Sequence, residues 1–195
     1  AQDFNRAADQ IERTWPIIPK GIRPSVWRGW VQKLPEAQIQ VRPILSAAHA
    51  WILLNDGELD AAAASLDVVD LWLADIDQDS DRLNEMIVAN EAQFSSLPGI
   101  TMGARAYLTQ ATGNHLDAIH YAQTALELLP EDERYWRGGI ALFLGLAQWK
   151  HGDLDHAYES IKLSIVSLRK TNDHVFHRAG TAHLGRISLM MGHLN

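Results

Sequence analysis

Apolar residues recur at intervals of three and four along nearly the whole chain, the period of α-helices that bury one face. Read on that period, the sequence predicts helices over 3–15, 22–34, 41–56, 59–74, 81–96, 99–112, 115–129, 133–151, 154–171 and 174–191. The prolines Pro16, Pro19, Pro24, Pro35, Pro43, Pro98 and Pro130 fall at the breaks between them, where a missing N–H is tolerated. No alternation of β type and convincing length is present.

Several of these helices are followed by glycine. Gly57, Gly113, Gly152 and Gly192 end helix-length patterns, at spacings of 56, 39 and 40 residues. Ala62, Ala118 and Ala157 stand five residues beyond the first three, and Ala50, Ala106, Gly145 and Gly185 stand seven residues before the four. At the offset of 40, Leu144-Gly145 repeats as Leu184-Gly185, and Gly152-x-Leu154 as Gly192-x-Leu194. A glycine just past a helix adopts the left-handed cap conformation cheaply. Asn114 or Asp153 can then accept from the free amides of the next helix. Small residues inside both helices allow close packing. Each unit therefore reads helix, glycine turn, helix, and must stack on neighbours to bury its apolar face. The expected fold is all-α, a right-handed superhelix of antiparallel helix pairs. It is read as one domain over 1–195 with repeat units near 1–34, 41–74, 99–130, 133–171 and 174–195 and an extra helix over 81–96.

At 195 residues the chain is long enough for one well-buried domain or a stack of repeats. Its 24 acidic and 17 basic residues give a net charge of -7. That balance repels phosphate backbones and argues against direct nucleic-acid contact. There is no cysteine, which excludes disulfide and thiol chemistry and is compatible with a reducing, cytoplasmic setting. The longest strongly apolar stretch, Gly138 to Trp149, is too short to span a bilayer. No signal-peptide pattern opens the chain. The start without Met and the final Gly192-His193-Leu194-Asn195, which reads as the opening of a further helix, suggest a piece of a longer protein.

Several stretches have a familiar order. Trp30-Val31-x-x-Leu34-Pro35, Arg42-Pro43-x-Leu45, Ala50-Trp51 and Gly57-x-Leu59-x-Ala61-Ala62 come first. Phe94-x-Ser96-Leu97-Pro98, Ala104-Arg105-Ala106-Tyr107, Gly113 and Ala125-Leu126-x-Leu128-Leu129-Pro130-Glu131-Asp132 follow. Arg137-Gly138-x-x-Ala141-x-x-Leu144-Gly145-Leu146-Ala147 and Gly152-Asp153-Leu154 complete the series. Over nearly its whole length the chain resembles the tetratricopeptide-like helical sensor of MalT/LuxR-type ATP-dependent bacterial transcription activators. Members of that family join a nucleotide-binding domain, a winged helix, the helical sensor and a helix-turn-helix. The resemblance implies a regulatory, non-catalytic sensor that binds a small-molecule effector or a regulatory protein, with self-association possible. It places ATP binding and DNA contact outside this stretch. No phosphate-binding Gly-x-x-x-x-Gly-Lys-Ser/Thr run and no basic recognition helix occur in it.

The candidate chemistry is sparse. Of nine histidines the only close pair compatible with one helix face is His174 and His177; His115/His120 and His151/His156 are five apart. No His-Glu-x-x-His occurs, a third ligand such as His183 would be a guess, and no metal site is expected. The run Asp75 to Asp81 loosely resembles a calcium loop but lacks its glycine and terminal glutamate, and reads as a solvated loop capping the next helix. No serine, histidine and acid combination has motif support, so no enzyme is expected. Superimposing the units on their glycines aligns Trp51, Tyr107, Leu146 and Arg186, and beside them Leu54, Gln110, Trp149 and Leu189. These rows either line a concave wall or pack between helices. In the first case Trp51, Tyr107, Gln110, Trp149 and Arg186 form the candidate ligand surface: rings to stack on, an amide to donate and accept, a guanidinium for an anion. A stand-alone tetratricopeptide-like scaffold for peptides is the alternative; such scaffolds clamp acidic chain ends with basic rows, and these rows hold only Arg186.

Overall fold

The computed structural model describes residues 3–15, 24–78, 81–169, 171 and 174–192, and among them every regular element is helical. Pro16, Pro19 and the Leu194 end of the last repeat lie outside the described residues. The helices are α1 (Phe4–Thr14), α2 (Pro24–Val31), α3 (Glu36–Gln40), α4 (Pro43–Asp56), α5 (Leu59–Asp77), α6 (Glu91–Phe94), α7 (Leu97–Ala111), α8 (His115–Leu128), α9 (Arg134–His151), α10 (Leu154–Leu168) and α11 (His174–Met190). They fall into two compact units, Ala1–Ala104 and Arg105–Asn195.

The glycine turns take the form the repeat demands. Gly57, Gly113, Gly152 and Gly192 all have positive φ, between 75° and 95°. At Gly152 the cap N–H reaches back to the Gln148 and Trp149 carbonyls, closing α9, and Asp153 then accepts from the His156 amide to open α10. Asn114 opens α8 in the same way through the Asp117 amide. The carboxylate of Asp153 lies below its ordinary range because the His156 N–H and then its ring favour the charged form.

In the first unit α4 pairs with α5, and α4 is buried almost all round, from Pro43 to Leu54. Two indoles fasten the surrounding pieces. Trp27 Nε1 donates to the Ile11 carbonyl at 3.1 Å, tying α2 to α1, and Trp72 Nε1 donates to the Gln40 carbonyl at 2.7 Å, tying α5 to α3. Ala47, Val69 and Leu97 form a buried cluster with Leu73 and Phe94 against it.

Residues 81–96 are not the single helix that periodicity predicts. A 3-10 turn over Asp81–Glu85 leads into non-helical backbone to Asn90, and only then does the short α6 form. The amides of this stretch are used elsewhere. Ile87 N–H donates to the Val41 carbonyl at 2.8 Å, and Ala89 N–H to the Glu12 carboxylate at 2.7 Å. Asn90, a better cap than helix interior, accepts from the Gln93 amide. Conversely, the expected loop at Asp75 begins later than the pattern predicts: α5 runs on to Asp77, and Asp75 takes the Arg82 guanidinium at 2.8 Å. The guanidinium also lies 4.2 Å above the Trp72 ring. The five-residue α3, which starts after Pro35, is too short to give a periodic signal.

Glu12 and Arg42 are the unusual residues of this unit, with 0% and 1% of their side chains exposed. Arg42 Nη1 lies 2.7 Å from Asp9 Oδ1 and 3.4 Å from Glu12 Oε2. Burial pushes the Glu12 carboxyl above its ordinary value, against the lowering pull of the Ala89 N–H and of Arg42. A carboxyl raised in the folded state contributes stability that is complete below the unfolded pKa and lost as pH rises through the folded one. Glu12→Gln removes that dependence. Its melting temperature relative to the parent is therefore expected to improve from mildly acidic to neutral pH; a constant difference would contradict the assignment.

The second unit is a run of helices in which α8 and α10 both pack on α9, and α11 on α10. Its closest contacts run through glycine. A Cβ on Gly138 would lie 2.5 Å from Leu168 Cγ, and one on Gly145 2.5 Å from Ile161 Cγ1 and 3.1 Å from the Ala157 carbonyl. Gly185, the repeat equivalent of Gly145, has nothing within 4 Å of that position. Gly145→Ala is therefore expected to destabilise by about 1–3 kcal/mol through overpacking. Gly185→Ala should stabilise by about 0.5–1 kcal/mol through helix propensity alone. Equal effects in thermal unfolding would overturn the packing.

Candidate functional site

Five residues were singled out by the repeat alignment, and their fates differ. Trp51 lies on α4 in the first unit, 7% exposed and among the buried residues of that helix. Its row neighbour Leu54 is buried as well. There the alternative of packing between helices holds.

The other four belong to the second unit. Tyr107, half-buried near the end of α7, meets Phe143 of α9 edge-on, ring centroids 5.0 Å apart. Phe143 in turn meets Phe176 of α11 at 6.0 Å and 89°. Tyr107 thus begins an aromatic chain that passes through the unit rather than standing open as a stacking platform. Gln110 is half-buried one turn further along α7, where its carbonyl accepts the Gly113 amide at 3.1 Å.

Trp149 and Arg186 are brought to a common neighbour, His183. The Trp149 and His183 rings lie 5.7 Å apart at 69°, and Arg186 follows His183 by one helical turn. Trp149 is half-buried against the cluster of Leu142, Ala157, Ile161 and Ile187, so its position is fixed from below. Arg186 is exposed. The His183 imidazole is held below its ordinary pKa, first by burial and then by the Arg186 charge. Its Nδ1 is buried and has no hydrogen-bond partner among the described residues. At neutral pH the cluster therefore offers an indole edge, a neutral imidazole and one positive charge, which suits a flat group carrying an anion.

The glycine alignment pointed to Trp149 and Arg186 but not to His183 as their link. The signal lay nine residues before Gly152 and Gly192, where Phe143 and His183 are equivalent: the ring position is repeated while its chemistry changes from phenyl to imidazole. Elsewhere His49 is half-buried beside Ser65 and lowered by burial, then by Arg28, with Glu58 opposing. Among the described residues no acid hydrogen-bonds to either side chain. His174 and His177 share α11, and among the described residues no three histidine, aspartate or glutamate side chains converge as a metal site would require. No described helix is long and apolar enough to cross a membrane.

Comparison with family models, with curated proteins and with solved structures gives no match to this chain.

Arg186→Ala removes the positive neighbour, so the His183 pKa is expected to rise toward its ordinary value, measured by imidazole NMR titration. No movement would mean the two side chains do not sense one another.

Proposed function

We propose that this chain is a non-enzymatic recognition module, the helical sensor of a MalT/LuxR-type transcription regulator, and that its second unit holds the effector. The observation that carries this reading is the recurrence of one structural unit. A helix, a left-handed glycine and a second helix recur at Gly57, Gly113 and Gly152, and a further helix reaches the left-handed Gly192. Such units present side chains in repeating rows on a rigid backbone, which suits binding more than chemistry. In this reading the pairs continue as a right-handed superhelix of the tetratricopeptide-like kind, in a cytoplasmic protein. Nucleotide hydrolysis and DNA contact are functions of other domains of the regulator.

The effector surface is the Trp149, His183 and Arg186 cluster, with Tyr107, which meets Phe143 of α9, and Gln110 of α7 as supporting residues. Trp51 has no part in it, since it is core. The ligand chemistry is a small planar anion, held by the indole edge and the guanidinium.

The experiment is a thermal-shift screen of small aromatic and heteroaromatic carboxylates against the intact chain, since a ligand that binds the folded state raises its apparent stability by mass action. A hit is expected to lose roughly tenfold in affinity, about 1.4 kcal/mol, in Arg186→Ala or Trp149→Ala. Arg186 is exposed, so that variant should fold normally. Unchanged affinity in both folded variants would place the effector elsewhere.

A further inference from the structure

Residues 86–90 run through the first unit without helical structure, between the 3-10 turn and α6, and all five are half-buried. Two long-range main-chain donors hold them down. Ile87 N–H reaches the Val41 carbonyl, and Ala89 N–H reaches Glu12 Oε1. The stretch carries no ionisable side chain of its own. It also borders water: Val88, Ala89 and Asn90, with Arg13 and Glu91, line an open depression of about 580 Å³.

The anchor under this strap holds more carboxylates than cations. Arg42 Nη1 lies 2.7 Å from Asp9 Oδ1 and 3.4 Å from Glu12 Oε2, so one nitrogen faces both acids and stands closer to Asp9. Arg42 Nη2 turns to the Asn5 carbonyl at 3.4 Å, and its Nε is buried with no hydrogen-bond partner among the described residues. Asp9 keeps water, with 40% of its side chain exposed, whereas Glu12 has none. One guanidinium does not neutralise two carboxylates, and the acid shut away from water is the one that takes a proton. Neighbouring charges do not redress the count. Arg13, the next residue of α1, is exposed on the depression. Of the helices packed on α1, α2 brings Arg28, which pairs with Asp56 and Glu58. Exposed Glu36 of α3 accepts from Gln40, and His49 of α4 lies beside Ser65. Glu85 and Glu91, at the two ends of the strap, are exposed.

The hydrogen bond to the strap survives protonation, because a neutral carboxyl with its proton on Oε2 still accepts the Ala89 N–H at Oε1. Burial does not suit ionisation so well. The Ala89 and Asn90 amides and Arg42 favour the carboxylate, yet burial outweighs them and the carboxyl is held above its ordinary value. Lifting the strap lets water reach Glu12 and removes that penalty. The closed arrangement therefore binds the proton more tightly than the open one. By linkage, closure is fully favoured below the open-state pKa and loses ground as pH rises through the closed-state one.

We infer that residues 86–90 form a proton-operated strap, closed on Glu12 while its carboxyl is neutral and released as that proton passes to water. Release frees the Ala89 N–H and opens Glu12 and Arg42 to the depression, while the α4–α5 pair stays packed. The device is independent of the effector reading, because no residue of the Trp149 cluster takes part in it.

The test is native-state hydrogen exchange of the full chain, read amide by amide by NMR from mildly acidic to neutral pH and corrected for the intrinsic rise of exchange with pH. Protection of the Ile87 and Ala89 amides is expected to fall as pH rises, by up to roughly tenfold per pH unit, the limit for one released proton. Ala48, buried in α4, should stay at least roughly tenfold better protected than Ala89 at every pH, because the strap opens without the core. Glu12→Gln keeps the side chain neutral, and its Ala89 protection should no longer vary with pH. Asp9→Asn leaves Arg42 to Glu12 alone, so a charged Glu12 is compensated in the closed state and the pH dependence should shrink. Asp9 is 40% exposed, so this variant folds even where Glu12→Gln does not. Ala89 protection that is independent of pH in the parent chain would overturn the proposal, as would the parent's pH dependence in either folded variant. Equal protection of Ala48 and Ala89 would mean that only global unfolding frees the strap, and would overturn it as well.

Discussion

Close approach of helices over residues without side chains is the constraint on which the second unit depends. Gly138 and Gly145 let Leu168 and Ile161 descend onto the α9 backbone, and Ser160 Oγ adds one hydrogen bond across the pair, to Gln148 Oε1 at 2.7 Å. Dispersion falls steeply with distance, and each ångström of separation recovered brings many more atoms of α10 into contact. That pair then supplies the platform of Leu142, Ala157 and Ile161 on which both Trp149 and the inner face of α11 rest. The side chains of the candidate effector cluster are placed by packing that lies two layers beneath them.

The first unit reaches order by a different route. Its irregular stretch from Asp81 to Asn90 has no helix to satisfy all its amides, and the buried Glu12 carboxylate accepts one of them at Ala89. Removing one partner of a buried charged network generally costs more than the network contributes, because the remaining charge is left in a low dielectric. Glu12 is therefore fixed between two requirements. Burial favours its protonated form, while Arg42 and the Ala89 N–H favour its charged form. The arrangement ties α1 to residues 77 positions away in sequence, which no local pattern specifies.

This difference explains what could be read from the amino-acid order. Gly57, Gly113, Gly152 and Gly192 announce left-handed caps because the conformation is written in a single residue, and α4, α5 and α7 to α11 follow from periodicity within a few positions of where they lie. The stretch 81–96 departs from its own periodicity because Ile87 and Ala89 spend their amides on partners distant in sequence. Trp51 and Tyr107 illustrate the limit for sites. Their register in the repeat is legible, but whether a ring at that register faces solvent depends on which neighbours cover it, and α4 is covered almost all round.

Repetition of backbone with divergence of side chains is also what makes α11 distinctive. Phe143 and His183 occupy equivalent positions, as do Gly138 and Arg178, or Leu142 and Ala182. On α9 these positions carry phenyl, hydrogen and isobutyl groups and lie in the interior. On α11 they carry imidazole, guanidinium and methyl groups, and the last two are exposed. On α9 apolar substituents suit Gly138 and Leu142 because α10 removes water from them. Neither Arg178 nor Arg186 enters an ion pair among the described residues, so one backbone repeat carries an apolar, buried face on α9 and a charged, exposed one on α11.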